Sequence, residues 1–278
     1  MIETAPPMTA DEFARLARII HAESGIFLAE TKRNLLSGRI NRRLRALGLR
    51  DYASYCDVLE RTDMTDEKRK LVAAITTNVT AFFREAHHFD LLAQRILPPL
   101  VERARAGGRV RLWSAACSSG EEAYSMAMTV LDVFPDAADF DLRILATDID
   151  PEIIAKARAG VYDEQLVQDL LGTRRAKYLA AEAGRYSIRP DVRALLRFAE
   201  LNLHTTWPFS GSFDVIFCRN VVIYFDLPMR QVLWERFANI LGRGGYLLIG
   251  HSERLDGPAT ARFTPVGTTA YQCIADHP

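Results

Sequence analysis

Residues 109–129 of this chain, RVRLWSAACSSGEEAYSMAMT, decide its fold. The apolar run at 110–115 predicts a buried strand, and the small residues at 116–120 predict a tight turn. From Tyr124 onward, apolar side chains recur at the spacing of a helix. A strand, a turn and a helix in this order form the repeating unit of an open α/β sheet.

The turn between this strand and helix favours a cofactor without phosphate groups. In open α/β sheets, adenosyl cofactors lie at such a helix start, where small side chains let the backbone approach the ligand. Only Gly120 in the turn is glycine, and Glu121 and Glu122 place two carboxylates where a dinucleotide would need its phosphates. S-adenosylmethionine carries no phosphate and therefore fits. The alternative is an ordinary helix cap, with Ser118 or Ser119 opening an S-x-x-E capping box.

An acid at the tip of the second predicted strand, residues 142–147, marks the place where Rossmann-like folds hold ribose hydroxyls. Two aspartates follow that strand. Asp150 suits a helix cap because Pro151 comes directly after it, which is a favoured position for proline. Asp148 is therefore the aspartate predicted to contact a ligand.

Strands and helices alternate through the rest of the chain, which predicts a mainly parallel sheet. The most apolar strand, 213–218, is followed by the polar residues 219–220, where an open sheet places its ligand crevice. Strands at 186–188 and 195–198 predict a small antiparallel insertion. The last two strands predict an antiparallel edge.

The residues before Gly107 predict helices and no strand. A helix from Ala86 is expected to end at Pro98, because proline removes a backbone donor and clashes with the preceding turn. An earlier helix, 30–47, lies in a basic region.

Seven basic residues and no acid occur between Thr31 and Arg50. At helical spacing, Lys32, Arg39 and Arg43 fall together beside an apolar stripe. Most charge runs are solvated faces. The alternative is a docking surface for an acidic partner, which would relieve the repulsion among these charges.

Bulk composition is that of an ordinary globular chain, with 278 residues and a formal net charge of zero. Zero net charge gives no general attraction to nucleic acid. We expect no signal peptide, because the first residues lack an apolar run, and no membrane insertion. The four cysteines are far apart and are expected to be reduced. His87 and His88 are adjacent and should point to different helix faces, so we expect no metal site.

Six motifs, in order across nearly the whole chain, resemble the chemotaxis receptor methyltransferases of the CheR type. They are TNVTAFFRE (77–85), LWSAACSSGEEAYS (112–125), ATDID (146–150), ELNL (200–203), FDVIFCRNVVIYF (213–225) and GHSE (250–253). The combination of the first and fifth motifs is highly specific, although neither would be so alone.

This resemblance implies an α/β protein with three parts. They are a helical N-terminal receptor-docking domain (1–76), a linker and helix contributing to the cofactor site (77–106), and a class I Rossmann-like methyltransferase domain (107–278). The last part would have a seven-stranded, mostly parallel sheet and a small antiparallel β-subdomain at about 180–200. The implied activity is methyl transfer from S-adenosylmethionine to glutamate side chains on the cytoplasmic helices of chemoreceptors, which gives methyl esters and S-adenosylhomocysteine and serves adaptation.

The resemblance also implies which residues form the site. Those expected to bind the cofactor are Asn78, Thr80, Arg84, Glu122, Asp148, Asn202, Leu203, Arg219 and Asn220. Arg84 and Tyr224 would lie nearest the transferred methyl group. Lys32, Arg39 and Arg45 match the family's basic receptor-docking helix. Helical spacing adds Arg43 to that surface and places Arg45 off it.

The same resemblance also bears on the binding partners of this chain. Members that tether to a receptor's C-terminal pentapeptide have a longer, glycine-rich insertion loop than the one at 180–185, so we expect no tether. We expect a cytoplasmic monomer that does not bind nucleic acid. Two alternatives stay open. One is a methyltransferase acting on RNA or a small molecule, and the other is a non-catalytic module that senses the cofactor.

Overall fold

The computed structural model describes residues 6–61, 63–168, 170 and 172–274. The expectation about a signal peptide rests partly on residues 1–5, which lie outside this range. The N-terminal part, which we call the helical part, consists of α1 (Ala10–Ser24), α2 (Arg33–Leu47), α3 (Tyr52–Glu60) and α4 (Thr65–Ile75). The helix α1 begins at a capping box formed by Thr9 and Glu12, and ends at Gly25 in the left-handed conformation.

The stripe predicted for α2 packs inside the helical part. Leu36, Ile40 and Leu44 are buried in its core, whereas Leu47 stays exposed. This core is separate from those of the sheet domain. Burial of an apolar stripe, rather than local propensity, therefore holds α2 in place.

Two of the basic residues predicted to dock a partner are bound inside the chain. Arg43 donates to both carboxylate oxygens of the buried Glu67, at 2.9 and 2.6 Å, and Tyr55 donates to the same carboxylate at 2.8 Å. Arg39 donates to the backbone carbonyls of Ile75 and Thr76. Acceptors in and after α4 therefore compensate these two charges within the chain, so neither of them needs an outside partner.

The chain then forms α5 (His87–Leu91), a π-helical segment (Leu92–Ile96) and α6 (Leu97–Arg105) without a break. The predicted helix end at Pro98 is therefore wrong. The prolines Pro98 and Pro99 stand in the first turn of α6, and the wider π turn before them accommodates their rings and missing N–H groups.

The remaining helices and strands build the sheet domain. The strands are β1 (Val110–Ala115), β2 (Leu142–Asp148), β3 (Val161–Asp163), β4 (Leu179–Glu182), β5 (Arg185–Ile188), β6 (Leu196–Glu200), β7 (Phe213–Cys218), β8 (Leu241–Ile249), β9 (Phe263–Gly267) and β10 (Ala270–Cys273). The helices are α7 (Glu121–Val133), α8 (Pro151–Ala159), α9 (Glu164–Val167), α10 (Gly172–Tyr178), α11 (Pro190–Ala194) and α12 (Leu227–Ile240).

Seven strands form the main sheet in the order β6-β2-β1-β7-β8-β10-β9. The five strands from β6 to β8 are parallel, and β10 and β9 add the predicted antiparallel edge. The strand order reverses between β1 and β7, because β2 continues on one side of β1 and β7 on the other. Ligands in such sheets bind at this switch point, beyond the carboxyl ends of the strands.

The small antiparallel sheet differs from its prediction. Its strands are β3, β5 and β4, whereas β6 pairs in parallel with β2 at the edge of the main sheet. The predicted boundaries of about 180–200 are therefore wrong at both ends. The short strand β3 carries little local signal, and the apolar pattern of β6 does not say which sheet it joins.

All four cysteines are free and buried, as expected for reduced thiols. In the described part of the chain, none of the helices has the length and apolarity that crossing a bilayer requires.

The Arg43–Glu67 pair should govern the stability of the helical part. Replacing Arg43 with Ala leaves a buried carboxylate without its cation, so we expect the free energy of unfolding to fall by about 3 kcal/mol. Chemical denaturation measures this loss. The control is Arg42→Ala, an exposed neighbour on the same helix, for which a change within about 0.5 kcal/mol is expected. Equal losses in the two variants would contradict the assignment.

Candidate functional site

A cavity of about 490 Å³ lies at the carboxyl ends of β1, β2 and β7, the position that the sheet topology predicts. This volume suits a small-molecule ligand. Its walls come from the helical part, from the linker between α4 and α5 (residues 76–86) and from the sheet. Among the predicted site residues, those lining it are Lys32, Asn78, Thr80, Arg84, Glu122, Asp148, Asn202, Leu203, Arg219, Asn220 and Tyr224. Arg39, Arg43 and Arg45 do not line it.

The turn after β1 is formed by residues with positive φ, namely Ala116, Ser118 and Gly120, rather than by a capping box. Gly120 is the N-cap of α7, with φ +100°, and no side chain caps this helix. Ser118 instead donates to the carbonyl of Asn78 at 3.2 Å, and Ser119 donates to Glu121 at 2.7 Å. The predicted capping box is therefore wrong. A Cβ atom on Gly120 would lie 3.0 to 3.1 Å from three neighbouring atoms, so this position favours glycine.

Asp148 is oriented by two backbone amides. Its carboxylate accepts from the N–H of Ser118 at 2.9 Å and from that of Asp150 at 3.1 Å. Asp150 caps α8 by accepting from the N–H groups of Glu152 and Ile153, which confirms its predicted role as a cap. Burial raises the pKa of Asp148. Each of its carboxylate oxygens keeps a lone pair for a further donor, such as a ribose hydroxyl.

Arg219 is a buried cross-link between the sheet and the linker. Its Nη1 donates to Glu122 at 3.0 Å, and its Nη2 donates to the backbone carbonyl of Arg84 and lies 3.4 Å from Glu85. Ser114 donates to the other oxygen of Glu122 at 2.7 Å. Burial raises the pKa of Glu122, and the charge of Arg219 opposes that shift.

The Nε atom of Arg219 has no hydrogen-bond partner among the described residues, although it is buried. A buried donor without an acceptor is costly. Because Arg219 lines the cavity, an anionic or carbonyl group of a ligand could satisfy this atom. This orphaned donor is therefore a candidate contact for a ligand.

The linker is held in an unusual backbone conformation. Phe83 and Glu85 have φ values of 52° and 58°, a region that side chains rarely adopt. The N–H of Phe83 donates to Ser125 at 2.9 Å, and Arg84 donates through Nη1 to the carbonyl of Val79 at 3.1 Å. These contacts fix the half-exposed guanidinium of Arg84 at the cavity.

The loop after β7 is held by Glu253, a residue that the sequence marked only as part of a motif. Its carboxylate accepts from the N–H groups of Asn220, Val222 and Gly250, at 3.0, 2.9 and 2.6 Å. Asn220 has a φ of 58°, so these bonds hold a strained turn. The sequence did contain one signal for this role, because Glu253 is an acid that closely follows the strand β8.

The helical part closes the cavity on one side, which the sequence did not indicate. The N–H of Phe27 donates to the carbonyl of Tyr224 at 2.8 Å, and Ile26 pairs with Phe225 as an isolated β-bridge. Asn202 donates to the carbonyl of Glu23 at 2.7 Å. These partners lie about two hundred residues apart in the chain, so no local pattern could reveal them.

Glu85, His87 and His88 bring their possible ligand atoms within 4.8 Å of one another. The expectation that adjacent histidines must diverge is therefore wrong, because they follow the positive-φ Glu85 in the first turn of a short helix. The guanidinium of Arg219 lies 3.4 Å from the Glu85 carboxylate and opposes a second cation there. The absence of a metal stays a prediction.

Two family descriptions cover nearly the whole chain. Residues 11–76 match "CheR methyltransferase, all-alpha domain", and residues 78–272 match "CheR methyltransferase, SAM binding domain". A probable chemotaxis protein methyltransferase of Rhizobium etli is 48% identical over 258 residues, spanning 91% of this chain and 96% of the relative. The chemotaxis protein methyltransferase of Escherichia coli (strain K12) is 39% identical over 269 residues, spanning 95% and 91%.

His88 should make stability depend on pH. Burial lowers the pKa of His88 from 6.5 to about 4, and the positive charge of Arg219 acts in the same direction. Between these values the unfolded chain binds a proton that the folded chain does not. The free energy of unfolding should therefore fall as pH drops through this window, by roughly 3 kcal/mol in total. Chemical denaturation at several pH values measures the loss.

Other groups titrate in the same window, so a variant isolates the contribution of His88. His88 contacts the carbonyl of Thr268 through Nε2, a bond that the amide of a His88→Gln variant could replace. We expect a shallower pH dependence in that variant. An unchanged slope would show that His88 does not carry the effect.

Proposed function

The chain belongs to the CheR methyltransferase family, and from this we propose that it methylates glutamate side chains on the helical cytoplasmic domain of chemoreceptors. The methyl donor is S-adenosylmethionine, and the products are glutamate methyl esters and S-adenosylhomocysteine. Family membership gives the methyltransferase activity in chemotaxis. One observation carries the proposed site: a single cavity gathers the predicted residues from the helical part, the linker and the sheet.

The cavity fits this cofactor by its donors and charges. Asp148 would accept from the ribose hydroxyls, and the orphaned Nε of Arg219 would donate to the carboxylate of the methionine moiety. The carboxylates of Glu122 and Asp148 favour the ammonium and sulfonium charges. Asn78, Thr80, Asn202, Leu203 and Asn220 complete the proposed binding site.

When bound, S-adenosylmethionine supplies a methyl group on a sulfonium, an electrophile with its own leaving group. A glutamate carboxylate is already ionised at neutral pH, so no strong general base is needed. What remains for the chain is to aim the carboxylate and exclude water from it. Alignment of reacting groups can supply about 7–11 kcal/mol of the barrier.

Arg84 and Tyr224 are the proposed catalytic residues. We assign to Arg84 the steering of the incoming carboxylate, because its guanidinium is half-exposed at the cavity while Arg219 holds its backbone. Partial hydration keeps this pairing moderate, so the carboxylate remains nucleophilic. Tyr224 would hold the carboxylate through its hydroxyl, and the bond from Phe27 to its carbonyl fixes its backbone.

The exposed charges of α2 and the turn before it form the proposed electrostatic contact with the acidic receptor. Lys32 lines the cavity mouth, and no acid among the described residues lies within ion-pair distance of it. Arg42 and Arg45 are exposed on α2. Arg39 and Arg43, by contrast, bind acceptors within the chain, so we do not include them in this contact surface.

We further propose that the protein works in the cytoplasm as a monomer without a pentapeptide tether and without nucleic acid. The strands β4 and β5 pair up to Glu182 and Arg185, so only Ala183 and Gly184 connect them. Both have positive φ, as a two-residue hairpin turn requires. This turn leaves no extended loop beside the small sheet. Micromolar binding of a receptor C-terminal pentapeptide would overturn this part.

The central test uses labelled S-adenosylmethionine and a helical receptor fragment. We expect label to enter the fragment and to be released as methanol by alkali, because glutamate methyl esters are base-labile. Label that resists alkali would indicate another acceptor. Cofactor binding without any labelled product would indicate a non-catalytic sensing module.

Arg84→Ala should lower turnover by about two orders of magnitude or more, since the incoming carboxylate loses its alignment. Arg69→Ala, an exposed arginine of α4 away from the cavity, is the matched control and should keep turnover. Full turnover in Arg84→Ala would contradict the assignment. If Tyr224→Phe keeps full activity, Tyr224 has only a structural role.

A further inference from the structure

Four large apolar side chains surround the mouth of the cavity while remaining about half or more exposed. They are Phe27 (57% exposed), Leu35 (48%), Val79 (76%) and Ile223 (50%), and we call them the apolar collar. Single exposed apolar side chains are normal on protein surfaces. Four of them around one cavity form a patch, and such patches mark interaction sites.

The apolar collar is not part of the protein's own packing. None of its members belongs to the three hydrophobic clusters of the fold, or to the partly buried side chains packed against them. The collar is nevertheless held in place through its backbone. The N–H of Phe27 donates to Tyr224, and the carbonyl of Val79 accepts from Arg84. The patch is therefore prearranged around the proposed catalytic residues.

We propose that the apolar collar binds the receptor helix on both sides of the reacting glutamate. This inference rests on the proposed function and names a feature of the substrate. On a helix, the residues three and four positions away share the face of the central residue. A glutamate that enters the cavity must therefore press those neighbours against the collar. The preferred substrate is a glutamate whose neighbours on that face are apolar.

The charge beside the apolar collar favours a receptor helix as its partner. Lys32 stands at the same cavity mouth as Leu35, one helical turn away, so an attraction for acids adjoins the apolar surface. Charges speed the encounter, whereas a packed apolar contact slows dissociation.

The test compares the full chain with Phe27→Ser, Val79→Ser and the double variant. Leu166→Ser is the matched control, because Leu166 is 49% exposed but lies on α9 away from the cavity. The Michaelis constant KM for a helical receptor fragment, kcat, and calorimetric affinity for S-adenosylhomocysteine are measured. We expect KM to rise about tenfold in the double variant. Both kcat and the affinity for S-adenosylhomocysteine should stay within about twofold of their values in the unchanged chain.

The outcomes separate this inference from the proposed function. If the double variant keeps turnover and has the same KM as Leu166→Ser, the inference about the collar is wrong. The proposed function is unaffected by that result. Lack of turnover by the unchanged chain, despite cofactor binding, overturns the function itself. Concentration-dependent dimerisation that the double variant abolishes would assign the collar to a second copy of the chain and overturn the inference.

A second, altered substrate tests the same contact from the side of the receptor. The receptor fragment is altered so that an apolar residue one turn from the glutamate becomes Asp. We expect this change to raise KM for the unchanged chain much more than for the double variant, because the two changes remove the same contact. Additive effects would show that the collar does not contact that face of the helix.

Discussion

The buried ion pair between Arg219 and Glu122 is the interaction on which the site depends. Arg219 directly follows β7. Its side chain binds Glu122 on α7 and the backbone carbonyl of Arg84 in the linker, so it joins three segments of the chain. A buried ion pair adds little stability compared with apolar residues of the same volume. Its value here lies in geometry, because it sets the linker, and with it Arg84, against the carboxyl edge of the sheet.

Closure of the cavity by the helical part is the second constraint. The β-bridge from Ile26 to Phe225 and the bond from Asn202 to the Glu23 carbonyl tie the end of α1 to two loops of the sheet domain. A methyl transfer that needs no general base gains most from alignment. The hydrogen bonds between the helical part and the sheet domain supply this alignment. They involve backbone atoms, which hold their positions better than the ends of long side chains do.

Local features of the site could be predicted from the sequence, and contacts between distant segments could not. The position of Asp150 before Pro151 predicted its role as a cap, which the structure confirms. The main-sheet strands that carry the site were also predicted, because apolar runs bounded by polar tips are local patterns. The capping box failed, since α7 begins one or two residues later than the box requires and has Gly120 at its N-cap. The Arg43–Glu67 pair joins two helices, and a charge pattern along one helix does not show its partner on another.

The basic helix shows how one sequence pattern serves two physical purposes. Seven like charges within twenty residues repel, and the fold lowers that repulsion by turning Arg39 and Arg43 inward to carbonyls and to Glu67. The charges left outside are those that can meet an acidic partner, and Lys32 among them stands at the cavity mouth. Because the net charge of the chain is zero, we propose that this local surplus orients an approaching receptor. Exposed charges alone bind weakly and are screened by salt. An adjoining apolar surface is therefore what a substrate helix needs in order to stay long enough to react.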